Sequence, residues 1–486
     1  MKTNAEKLPS PWVSAIPLAV LTGLLYVVIR AFGGEAINGG SQIALLSATS
    51  VCVMLSIGIY RCRWAVLEEA IIDNIRASAS AIVILLLIGA IAGTWMISGV
   101  VPTMIYYGLQ ILHPSFFLVA SCAICAVVSL MTGSSWTTIA TIGVALMGIG
   151  QAMGFSEGWV AGAIISGAYF GDKLSLLSDT TVLASSTAGV EVFTHIRYML
   201  YTTVPSMLIA LGVFTVAGLA LDHGVSTHAE MYAATLAVTF RITPWLLAVP
   251  LATGMLIARK LPAIVTLFSS VVFACAAMLL AQPELVAKVA GVGGLDFMSG
   301  FKGVLMSCFG PTAIPTGSPQ LDELVATRGM AGMLNTVWLI ICAMCFGGVM
   351  TGSGMLGALT SVFLRFVRRA FSAVASTVGA GIFFNLCTAD QYISIILSGR
   401  LFRELYAERG LEPRLLSRSV EDSATVCSVL VPWNSCGMTQ ATVLGVSTFV
   451  YMPYCIFNIV SPLMSLMVAA IGWKIKRAAG TAAHPH

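Results

Sequence analysis

Gly171-Asp172-Lys173-Leu174-Ser175-Leu176-Leu177-Ser178-Asp179-Thr180-Thr181 sets three charges and four hydroxyls inside a chain that otherwise reads as lipid-soluble. Between Arg76 and Asp172 the sequence carries one charged residue, Glu157. An ionised carboxylate at bilayer depth costs roughly 2.5–3.5 kcal/mol on insertion scales, so the cluster calls for a polar purpose, an ion or proton site. On an unbroken helix Asp172 and Asp179 would share one face two turns apart. The glycine, serines and paired threonines favour instead an unwound stretch, whose carbonyls and hydroxyls are free to ligate a cation.

The surrounding composition fixes the class. Of 486 residues 58% are hydrophobic and 9% charged, and the mean hydropathy is +0.92, against about 25% charged in soluble domains. Apolar runs of about 20 residues recur along the chain, which indicates an all-α polytopic membrane protein rather than a β-barrel. About twelve spans are expected, at 12–31, 41–59, 79–99, 114–131, 137–152, 159–171, 199–220, 243–259, 262–281, 333–350, 371–386 and 448–473, with broken apolar segments at 390–402 and 422–445. The charged stretch 61–80 reads as a helix lying in the interface. The first run, from Trp12 to Arg30, exceeds a signal-peptide core and reads as a retained span. Pro311-x-x-x-Pro315-x-Gly317-x-Pro319 reads as a loop or as a functional break.

The net charge of +4 is scattered, which gives no footing for nucleic acid. Lys2 and Lys7 before the first span, Arg61 and Arg63 after the second, and Lys474, Lys476 and Arg477 after the last place both termini in the cytoplasm by the positive-inside rule. Arg365, Arg368 and Arg369 mark another cytoplasmic helix end, as do Arg259 with Lys260. The twelve cysteines include Cys122/Cys125 and Cys342/Cys345, whose spacing within apolar helices reads as packing on one face, with no histidine nearby to build a metal site. No P-loop, H-E-x-x-H or G-x-S-x-G is present, so the chain is read as neither an ATP-driven pump nor an enzyme, and as needing no cofactor beyond transported Na+ and H+.

A weak internal repeat pairs Gly93-x5-Gly99 with Gly348-x5-Gly354 at an offset of 255. Further on, Ser166-Gly167-x-x-Phe170-x-Asp172 pairs with Ser398-Gly399-x-x-Phe402-x-Glu404 at 232, and Ser178-Asp179 with Glu421-Asp422 at 243. Repeats with broken helices meeting at midplane are the architecture of secondary transporters. The chain divides accordingly into N-terminal scaffold 1–80, first repeat 81–220, connecting spans 221–332, second repeat 333–473 and cytoplasmic tail 474–486.

Three constellations carry the chemistry. The first offers Asp172, Ser175, Ser178, Asp179, Thr180 and Thr181 as oxygen ligands for sodium, a hard cation. An alternative pairs Lys173 with Asp172 in a structural ion pair. The second is Asp390 in Asn385-Leu386-Cys387-Thr388-Ala389-Asp390-Gln391-Tyr392, matched in the first half by Thr132-Gly133-Ser134-Ser135-Trp136. Both read as re-entrant hairpin tips or helix breaks. The third is Glu421 and Asp422 with Pro432-Trp433-Asn434-Ser435. A carboxylate able to hold either a proton or a cation makes the two compete, which suffices for exchange.

Together, Ser166-Gly167-Ala168-Tyr169-Phe170-Gly171-Asp172-Lys173, Ser178-Asp179-Thr180-Thr181, Phe193-Thr194-His195-Ile196-Arg197, Asp390-Gln391-Tyr392-x-Ser394, and Glu421-Asp422 with Pro432-Trp433-Asn434-x-Cys436-Gly437 resemble the NhaC-type sodium/proton antiporters of the ion-transporter superfamily. The resemblance implies two inverted repeats with re-entrant hairpins and a moving, elevator-like transport domain in a homodimer of the bacterial inner membrane. It also implies ion-site roles for Asp172, Asp179, Thr180, Asp390, Glu421, Asp422 and Asn434. The chain departs from the family where Leu176 and Val429 stand in place of usual prolines, at what read as corresponding positions, and Ala389 in place of a usual glycine. Some members are assigned to organic-acid exchange. The alternative is thus a sodium- or proton-coupled carrier of a small carboxylate or amino acid, bound by Lys173, Thr181, Trp433 or Asn434 or by a hairpin helix N-terminus.

Overall fold

In the computed structural model, residues 9–32, 38–221, 227–259, 261–294, 296–317, 321–322, 325–365, 367 and 369–475 are described. Lys2, Lys7, Lys260, Pro319, Arg368, Lys476 and Arg477, invoked above, lie outside the described residues. Helices dominate. The first half contains α1 (Pro11–Phe32), α2 (Gly40–Gly58), α3 (Trp64–Ile97), α4 (Val100–Ile111), α5 (Pro114–Thr132), α6 (Ser135–Thr138), α7 (Val144–Ala152), α8 (Glu157–Leu174), α9 (Asp179–Ala188) and α10 (Val192–Ala220). Connecting helices α11 (Thr227–Thr239), α12 (Ala248–Ala258), α13 (Ala263–Ala281), α14 (Pro283–Ala290) and α15 (Phe297–Phe309) follow. The second half contains α16 (Leu334–Gly352), α17 (Met355–Arg365), α18 (Ala370–Thr388), α19 (Gln391–Glu408), α20 (Pro413–Val420), α21 (Ser435–Leu444), α22 (Thr448–Tyr451) and α23 (Ile456–Ile471).

Among the described residues, eight helices are long and apolar enough to cross a bilayer, or ten if two bent pairs each count as one span. The count of twelve is reached only if interrupted segments are added. Residues 64–80, expected as a separate interfacial helix, run without a break into the following span as α3, so the boundary drawn at residue 80 falls inside one helix.

The internal repeat is tighter in the structure than in the sequence. Pro114 and Ala370 open α5 and α18, and Ser135 and Gln391 open α6 and α19. Asp179 and Ser435 open α9 and α21, which close on left-handed Gly189 and Gly445. Each of these pairs is 256 residues apart. The tips repeat in their bonds too. Thr132 Oγ1 meets Thr138 Oγ1 at 3.2 Å, and Thr388 Oγ1 meets Ser394 Oγ at 3.1 Å. Ser134 Oγ caps the backbone N–H of Thr137, and Asp390 caps that of Ile393.

This constant spacing corrects the offsets of 232 and 243, which matched similar letters on helices that are not equivalent. Asp172 corresponds to Ser428, and Leu176 to Pro432, so Leu176 and Val429 are not paired positions. The pairing of Gly99 with Gly354 stands, both left-handed at φ 82° and 74° after a long helix. Within the first half, α8 packs closely on α5. A Cβ at Gly167 would lie 2.0 Å from the Cys122 carbonyl oxygen, and one at Gly171 would lie 2.2 Å from that of Ala126. Glycine at these positions lets α8 lie backbone to backbone on α5.

Candidate ion site at two helix breaks

Two interrupted helices meet where the polar residues lie. Helix α8 stops at Leu174, and Ser175 caps it through its N–H to the Asp172 carbonyl. The chain then passes through Leu176 and Leu177 before Ser178 caps α9. In the second half, α20 widens into a π turn over Glu421–Thr425 and tightens into a 3-10 turn over Ser428–Leu430. It restarts at α21 under an Asn434 cap. Such breaks leave backbone groups unpaired inside the bundle, which is tolerated only where they face protein or a cavity.

The side chains around these breaks are buried and polar. The Ser135 N–H and Oγ donate to Asp172 Oδ2 at 3.1 and 2.7 Å. Lys173 turns away from Asp172 and pairs with Asp422, both side chains fully buried. The alternative of an ion pair within Asp172-Lys173 is therefore not found, and Lys173 makes one that joins the halves instead. Lys173 Nζ also donates to Ser461 Oγ at 3.1 Å, and Thr202 Oγ1 and Ser461 Oγ donate to Asp422 Oδ1 at 3.3 and 3.2 Å. Thr180 Oγ1 donates to Glu421 Oε1 at 3.4 Å and lies 2.9 Å from Ser178 Oγ. Thr181 Oγ1 donates to the Lys173 carbonyl at 3.1 Å, tying α9 to the end of α8.

The remaining sequence candidates fall in two groups. Buried Asp390 accepts from the Ile393 N–H at 3.0 Å and from Ser435 Oγ at 3.2 Å. Asn434 donates to the Asn385 side chain at 3.1 Å, and Trp433 Nε1 donates to the Leu386 carbonyl at 2.9 Å. Both hold the second break to α18. Ser175, Thr132 and Ser134 spend their oxygens on local backbone. Asp179 is exposed at the first position of α9.

Sequence reasoning missed Thr202, Ser461 and Asn458. Their signal was a polar side chain in an apolar span, too common to single out. Glu421 Oε2, Asp422 Oδ2 and Asn458 Oδ1 are buried with no hydrogen-bond partner. Each is an acceptor, and a desolvated cation or a proton is what satisfies an acceptor there. The cavity beside Trp433 measures about 50 Å³, its lining including Asn335, Thr336 and Thr442, room for a few waters rather than the 300–1,000 Å³ usual for organic ligands.

Residues 167–473, which contain both breaks, match the Na+/H+ antiporter family. The chain belongs to this family. It is 34% identical over 425 residues to the "Na(+)/H(+) antiporter NhaC" of Alkalihalophilus pseudofirmus, covering 87% of this chain and 89% of that protein. It is also 35% identical to the "Malate-2H(+)/Na(+)-lactate antiporter" of Bacillus subtilis, over 89% of each. It is 31% identical to the "Arginine/ornithine antiporter ArcD" of Halobacterium salinarum, over 97% of this chain and 94% of that one. As a member of the Na+/H+ antiporter family, the chain is a multi-pass secondary antiporter and not an enzyme.

Proposed function

We propose that the chain exchanges sodium for protons by alternating access at Asp172, Glu421 and Asp422. The observation that carries this reading is the set of buried acceptors with no donor, Glu421 Oε2 and Asp422 Oδ2, beside one buried ammonium. Four buried acids, counting Asp390, outnumber the two buried cations Lys173 and Arg418 in low dielectric, so protons or further cations must make up the difference, and the two compete. Lys173 occupies one Asp422 oxygen, and an incoming cation meets the other. Ser178, Thr180, Thr202 and Ser461 supply neutral oxygens of the kind a hard cation accepts. Asp179, Ser175, Thr132, Ser134, Asp390 and Asn434 line or brace the path to that centre.

The family resemblance supports placing the antiporter in the bacterial inner membrane, with both termini cytoplasmic, the repeats inverted, and two copies assembled around an elevator-like transport domain. The names of the malate/lactate and arginine/ornithine relatives keep an organic co-substrate as the alternative. Adding sodium to purified protein in weakly buffered detergent solution should release protons, and Asp172→Asn should release fewer. Sodium addition without proton release would refute the shared-carboxylate reading.

A further inference from the structure

Arg418 lies one turn before Glu421 on α20, with no exposed surface. Its Nε, Nη1 and Nη2 have no hydrogen-bond partner. Its guanidinium rests 4.7 Å from the centre of the Tyr198 ring, and that of Arg414 lies 5.0 Å from the same ring. Tyr198 Oη donates to the Lys474 carbonyl at 3.0 Å, which brings the start of the C-terminal segment onto the same tyrosine, and the Lys474 ammonium sits over Tyr201. The acid facing this group is Glu412, already paired with Arg414.

A guanidinium does not shed its proton, so it cannot escape burial by neutralising as a lysine or a carboxyl does. The ring face offsets about 2 kcal/mol of a desolvation cost of several kcal/mol and leaves the N–H groups unsatisfied. Phosphate and carboxylate groups answer the fork of N–H donors with two oxygens at a time. From this we infer that Arg418, Arg414 and Lys474 form an anion site for a phosphate-bearing ligand, either free phosphate or the headgroup of an acidic lipid. Arg414 is partly exposed, its side chain at 27%, and forms the entrance; Tyr198 forms the floor. Because α20 runs directly into the π turn that bears Glu421 and Asp422, the anion holds the helix on which the acids stand.

The site is separate from the exchange reading, and its test needs no transport. Purified full-length protein is unfolded thermally in neutral detergent at fixed sodium. One arm compares inorganic phosphate with gluconate, and the other compares added phosphatidylglycerol with phosphatidylcholine. A Tm rise with phosphate identifies a free anion; a rise confined to phosphatidylglycerol identifies a headgroup. Arg418→Gln should weaken the effective ligand by about tenfold or more. Should that variant fail to fold, Arg414→Gln, at the entrance, should weaken the same ligand. No response of wild-type protein in either arm overturns the site, as does a response undiminished in Arg418→Gln or, if only Arg414→Gln folds, in that variant.

Discussion

Replacing Asp422 by alanine would strand the Lys173 ammonium in the interior, with the Ser461 hydroxyl and the Phe457 ring as neutral partners. Neither side chain of the pair is exposed, so water cannot repair the loss. Breaking such a pair at one end costs about 3–5 kcal/mol, a factor of roughly 10² to 10³·⁵ in the folding equilibrium. Removing both ends, as Lys173→Met with Asp422→Leu, deletes both charges and refills the space; such replacements are neutral or stabilising by about 1–4 kcal/mol. The contrast is read by unfolding wild type, Asp422→Ala and the double variant in detergent with a chemical denaturant, followed by tryptophan fluorescence. The single variant should unfold early and the double variant at or beyond wild type, yet without sodium-dependent proton release. If Asp422→Ala unfolds with wild type and the double variant shows no rescue, the pair does not hold the halves together. If the double variant still exchanges normally, Asp422 is not an exchange group.

Further substitutions test other parts of the structure. Ser135→Ala removes the 2.7 Å hydroxyl bond to Asp172 but keeps the backbone one; a charge-assisted bond of about 1.5–3 kcal/mol should appear as roughly tenfold or more weaker sodium dependence of proton release. Gly167→Ala and Gly171→Ala press a methyl onto the backbone of α5 and should lower stability by about 1–3 kcal/mol in the same unfolding assay. Gly212→Ala, with nothing within 4 Å of its added Cβ, should not. Ala389 sits in the left-handed region at φ 55° at the second hairpin tip. Ala389→Gly should therefore stabilise by about 0.5–1 kcal/mol, relief of the strain outweighing the entropy of glycine.

The helical membrane fold and the broken helix at Ser175 to Ser178 were legible because composition and hydropathy act over whole segments and turn chemistry is local. The partner of Lys173 was not. In sequence Asp172 is adjacent, but successive helix side chains diverge by about 100°, and the ammonium reaches Asp422 in the other half instead. The repeat was visible only as scattered letters, because what is kept at a spacing of 256 residues is caps and turn geometry. Ser134 stands where the other half has Asp390, and both cap the helix that follows while the letters change; Asp172 stands where it has Ser428. Asp179, exposed at the start of α9, also favours the helix dipole there.

The most direct test is sodium-driven proton movement in liposomes that contain purified protein and a trapped pH dye. Sodium added outside should make the lumen more alkaline as protons leave in exchange, with no carboxylate present, and Asp172→Asn should abolish the signal. A lumen that stays unchanged with sodium alone but responds when malate or an amino acid is added would contradict sodium/proton exchange and favour the organic-substrate alternative.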